Sequence, residues 1–165
     1  MAEVSFGMEL FMTRYVLTLF ILGISGNSIA EIVSFSEISV DVAPDWTYSI
    51  EQSSAFAGAQ GGSISIDHPA GIGSLRMMTY AAPGTVSRDR LRNLTNVPLS
   101  TTLDWQEWGD FAGYEHSYLE RGFFFKQWWL SNERTLLLIT YESGANESQL
   151  EIEAVETMVD SISLL

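Results

Sequence analysis

WQEWGDFAGYEHSYLERGFFFKQWWLSNERTLLLITYE, residues 105–142, holds four of the five tryptophans of the chain. A run of phenylalanines and a Leu-Leu-Leu-Ile-Thr-Tyr string share the same stretch. Aromatic and branched side chains at this density read as consecutive β-strands. The breaks fall at Gly109-Asp110, Arg121-Gly122 and Ser131-Asn132-Glu133. Gaps this short admit only antiparallel hairpins, because a parallel crossover needs a dozen residues or more. The spacing therefore predicts strands over residues 111–120, 123–130 and 135–142, with another ahead of them over 101–105. In the last of these, Leu136 and Leu138 point one way while Leu137, Ile139 and Tyr141 point the other. A strand apolar on both faces must be covered on both, so helices or a further sheet layer flank it.

Upstream, residues 32–42 alternate Val33, Phe35, Ile38, Val40 and Val42 with polar residues and predict a strand, with a bend near Ser36 that could break it. Pro44 fixes a corner that delivers Trp46 into a strand over 46–51. Residues 58–62 form a glycine-rich loop, and strands follow over 63–67 and 75–81. Residues 85–95 carry the first helix signal: Thr85 or Ser87 as N-cap, Asp89 in the first turn, and Leu91 and Leu94 three apart. At the end of the chain, Ile152, Val155, Val159 and Ile162 form the core-facing stripe of an amphipathic helix over 149–162.

Residues 12–30 have the anatomy of a secretory signal peptide. Arg14 precedes an apolar run, and a small-x-small ending at Ser28-Ile29-Ala30 sets cleavage before Glu31. The run is shorter than the roughly 20 residues that span a bilayer. The expected address is periplasmic or secreted, with no stable membrane insertion once the leader is cut. An uncleaved N-terminal helix anchored in the inner membrane is the alternative. Glu3 and Glu9 make residues 1–11 an odd leader start, which an initiation at Met12 would remove. Residues 31–165 then form a single domain.

With 21 acidic against 8 basic residues, the net charge is −13. Such a surface repels nucleic-acid phosphate and anionic lipid, so neither is expected as a partner. A basic protein suits it better. The absence of cysteine excludes disulfides, thiol catalysis and Cys-ligated metals.

The order of elements resembles the PsbP-like class of small exported bacterial domains, whose fold is shared with the photosystem II extrinsic P protein and DcrB. Pro44 and Trp46, residues 71–80, 109–114, 128–130 and 137–141, and the last helix carry the likeness. It implies an α+β fold, an antiparallel sheet of about six strands flanked by helices. It implies no activity, because that class shares no catalytic motif, and no metal or cofactor is carried over from it.

Among chemistry-bearing residues, Asp104, Glu107 and Asp110 interleave with Trp105 and Trp108. Carboxylates beside indoles are what a sugar cleft uses, and a glycosidase needs two carboxylates about 5 to 10 Å apart. The plainer alternative puts both indoles in the core and the acids in a loop. His68 and His116 show no metal-ligand spacing, and Glu115 and His116 point to opposite faces of a strand. His116 is expected half-buried beside Tyr114 and Tyr118. Arg88 and Arg92, one helical turn apart, could meet an anion together or neutralise the chain's own acids. No serine-nucleophile or P-loop pattern occurs. The expected function is non-enzymatic, without cofactor: an exported protein-binding module, chaperone-like or immunity-type. Its candidate partner surface comprises Trp105, Glu107, Trp108, Asp110 and His116. A binder of carbohydrate or envelope polymer is the alternative, with hydrolase behind it.

Overall fold

A computed structural model describes residues 29–52, 61–82, 84–144 and 151–165. Ten strands and two helices follow in the order β1 (Glu31–Phe35), β2 (Ile38–Val42), β3 (Thr47–Gln52), β4 (Gly62–Asp67), β5 (Gly73–Ala81), α1 (Arg88–Leu94), β6 (Gln106–Trp108), β7 (Phe111–Glu120), β8 (Phe123–Ser131), β9 (Thr135–Ser143), α2 (Ile152–Asp160) and β10 (Ser163–Leu164). They form an α+β fold with two antiparallel sheets. The larger has seven strands in the order β3-β4-β5-β9-β8-β7-β6, and the smaller has three in the order β1-β2-β10.

The β6-β7-β8-β9 meander follows from its turns. Arg121 and Gly122 both take positive φ, 51° and 85°, as a two-residue hairpin turn requires. Gly109, at φ 54°, opens the β6–β7 turn. β9 lies fourth in the seven-strand order, between β5 and β8, and both its faces are covered. On one side Leu137, Ile139 and Tyr141 join Ile64, Ile66, Leu75, Met77, Trp128 and Leu130. That layer packs against the small sheet (Val33, Phe35, Ile38, Val40, Val42) and the inner stripe of α2 (Val155, Met158, Val159). On the other side Leu136 and Leu138 pack with Trp129 and Tyr114 against Leu91 of α1, Val86, Leu103 and Trp105. The large sheet is thus the middle of three layers.

Several details depart from expectation. Among the described residues, the sheet of about six strands implied by the resemblance is instead one sheet of seven strands and one of three. Residues 32–42 are broken at Ser36, where the bend is expected, but the break is a full hairpin turn, because Ser36 takes φ 54° and reverses the chain. Residues 101–105 join no ladder. The Arg92 guanidinium donates to the carbonyls of Val97, Pro98 and Thr101, each at 2.9 Å, and ties the segment to α1 instead. Ser87 is the N-cap of α1 and accepts from Arg90 N–H at 3.3 Å. Leu94 is exposed, so Leu91 alone anchors that helix in the second core. Residues 1–28, 53–60, 83 and 145–150, with the expected leader up to residue 28, residues 58–60 of the glycine-rich loop and residues 149–150 of the expected last helix, lie outside the described residues. Among the described residues, no helix is long and apolar enough to cross a membrane.

Candidate functional site

The sequence groups Trp105 and Trp108, but the structure sends them to opposite faces of the large sheet. Trp108, on β6, is 6% exposed within the core under the small sheet. Trp105 precedes the strand and packs in the other core, edge-on to Tyr114 with centroids 5.2 Å apart. The Arg88 guanidinium sits 4.5 Å from the Trp105 ring centroid, a cation–π contact that covers one indole face. Asp104 and Glu107 are exposed. No cleft holds both indoles, so Trp108 leaves the expected partner surface. The two arginines read as a possible anion pair are also engaged separately, Arg88 by an indole and Arg92 by carbonyls.

Asp110 proves to be a clamp. Its N–H donates to Ile162 O at 3.1 Å, and its Oδ2 accepts from Leu164 N–H at 2.9 Å. Its carbonyl accepts from Asn132 Nδ2 at 2.7 Å. Nothing in the sequence signals this, because the partners lie up to 54 residues away.

His116 points from β7 to the α1 side of the sheet, half-buried, and stacks on Tyr118 with centroids 5.9 Å apart and planes 23° apart. Tyr118 in turn stacks on its cross-strand partner Phe125, at 5.1 Å and 17°. Register carries this surface across the sheet in two rows. One runs His116, Gln127, Thr140, Arg76; the other runs Tyr118, Phe125, Glu142. The neighbouring row, Tyr114, Trp129, Leu138, is sealed by α1 and residues 97–105. The same face is therefore divided into an apolar part under a cover and a half-buried to exposed part that mixes rings with polar groups.

On the opposite face Lys126 is 8% exposed, with Nζ 3.1 Å from Glu115 and 2.5 Å from Glu156 of α2. Burial alone lowers its pKa, but the hydrogen bonds and charges of Glu156 and Glu115 outweigh it and the net shift is upward. Lys126 is thereby held as an ammonium, the form that serves neither as nucleophile nor as base. His68 lies elsewhere, in the β4–β5 turn, edge-on to Trp46 at 5.0 Å with Nε2 3.8 Å from Glu151. Among the described residues, no three His, Asp or Glu side chains converge as metal ligands. A shallow recess of about 450 Å³ lies between the Ser36-Glu37 turn, the Asn132–Thr135 turn and the C-terminal leucines, lined by none of the expected site residues.

No family model and no curated protein matches this chain. Among solved structures, a protein of Bacteroides thetaiotaomicron VPI-5482 superposes with a TM-score of 0.53 at 12% identity, over 78% of this chain. The matched part is 45% of that protein's length, so this chain spans under half of it. At that identity the likeness is one of fold and says nothing of activity.

Proposed function

We propose that this chain is a non-catalytic protein-binding module, exported to the periplasm or secreted, whose partner meets the open part of the large sheet around His116, Tyr118 and Phe125. The observation that carries this reading is the stacked ladder of those three rings left outside the α1 cover. Rings with polar tips, half-exposed beside charged neighbours, are the composition of protein-binding surfaces. The proposed kinship with PsbP-like domains belongs to the same reading and rests on the sequence likeness alone. A carbohydrate cleft built on Trp105 and Trp108 has weaker support, because their rings do not share a face.

The test is a photo-crosslinking amino acid placed at Tyr118 in the full chain, with one at Thr157 on the exposed side of α2 as the control. Incubation with an envelope fraction is expected to give a discrete polypeptide adduct at position 118 only. Adducts to polysaccharide, or equal labelling at both positions, would refute the reading.

A further inference from the structure

The seven-strand order ends at β6, yet β6 is three residues long and pairs only with Phe111, Ala112 and Gly113 of β7. β7 continues for seven residues more, to Glu120, and there it is the edge of the sheet among the described residues. The direction of its backbone groups follows from the turn. A two-residue loop at Arg121-Gly122 makes Glu120 and Phe123 a hydrogen-bonded pair, so even-numbered residues of β7 bond to β8. Odd-numbered residues face the other way: Phe111 and Gly113 toward β6, then Glu115, Ser117 and Leu119 beyond the end of β6, where no strand pairs with them among the described residues. Their N–H and C=O groups make no hydrogen bond among the described residues.

Edge strands are ordinarily blunted by charged side chains, lysine above all, by proline, by a bulge or by a cover, and of these the β7 edge carries only Glu115 and Glu120. Residues 114–120 contain no lysine or proline, and their register with β8 is unbroken. Leu119 is 67% exposed on this edge. At the other end of the sheet, β3 carries a side-chain tie to the small sheet, Tyr48 Oη donating to Glu31 at 3.0 Å.

Charge selects the occupant. Glu115 and Glu156 share a single lysine, leaving one negative charge in excess; Glu107 is exposed at one end of the edge, while Glu120 at the other lies 3.9 Å from Arg121. A second copy would bring another net −13 against these groups. We infer that Glu115, Ser117 and Leu119 receive an extended, Lys- or Arg-bearing segment of a partner protein, added to the sheet as a strand beyond β7. This rests on the protein-binding reading and names its mode: backbone bonds give affinity, and side chains beside His116 and Tyr118 on one face and Glu115 on the other give selectivity.

The test uses the full chain and a short alternating lysine-valine peptide. Hydrogen exchange at the amides of Glu115, Ser117 and Leu119 is expected to be fast in the free protein and to slow at least tenfold with peptide. Ser117→Pro removes an outward N–H that the β7–β8 ladder does not use, so it should abolish peptide binding and leave the urea midpoint in place. Leu119→Lys, which adds a like charge to the edge, should weaken the same binding and guards against misfolding of the proline variant. Amides already protected in the free chain would mean that residues 1–28 or a second copy occupy the edge, the latter set apart by dependence on protein concentration, and would overturn the inference. Equal peptide binding by Ser117→Pro and the parent would overturn it too. If the adduct at Tyr118 persists in Ser117→Pro, the strand-addition mode falls and the protein-binding reading stands; if no polypeptide adduct forms in the parent either, that reading falls.

Discussion

The Asp110 carboxylate accepts the Leu164 backbone N–H at 2.9 Å and so joins the β6–β7 turn of the large sheet to the last strand of the small one. An acid that stands in the sequence as a ligand candidate is a structural tie. Asp110→Ala should lower stability by about 1 to 2 kcal/mol, the worth of a charge-assisted bond at a partly wet site. A urea melt reads this, and the exchange behaviour of the β7 edge should not change.

The residue before it tests the same junction harder. Gly109 has φ 54°, and a Cβ there would lie impossibly close to Ile162 O. Gly109→Ala combines left-handed strain with a backbone clash and should cost roughly 2 to 5 kcal/mol. A loss under 1 kcal/mol would mean that the two sheets are not joined at this turn.

Within β9 the two faces should answer differently. Leu137 is fully buried under the small sheet, whereas Leu138 is half-buried beside Trp129 and Met78. Leu137→Ala is expected to cost about 2 to 5 kcal/mol, and Leu138→Ala to fall at or below the lower end. The reverse order in chemical denaturation would show that the layers have been exchanged.

Alkali should unfold the protein partly through Tyr141 and Lys126. Burial pushes the Tyr141 phenol up, and the two carboxylates outweigh burial to raise Lys126. Both groups hold their protons more tightly folded than unfolded. Stability is therefore intact below about pH 10, where both states are protonated, and falls as pH climbs through the folded-state values. Tyr141→Phe and Lys126→Met should each flatten that decline in urea melts between pH 8 and 11. A decline of unchanged steepness in both variants would assign it to other groups.

Residue spacing alone determined the meander of β7, β8 and β9, because short gaps between long apolar runs leave the chain no route but the hairpin. It also determined that β9 is covered twice, since Leu136 and Leu138 alternate with Leu137, Ile139 and Tyr141, and neither set can face water. The stripe of α2 and the Ser87 cap were legible for the same local reason. Only tertiary structure decided the rest. Trp105 and Trp108 are three positions apart, but the first lies outside the ladder and the second inside it, so strand parity could not place them. The roles of Asp110 and Arg92 depend on carbonyls and amides brought in from beyond their own elements, and the small sheet closes through β10 at the far end of the chain. The edge of β7 left open among the described residues belongs to this second kind of fact, because whether a strand has a neighbour depends on how far the adjacent strand, here only three residues of β6, runs alongside it.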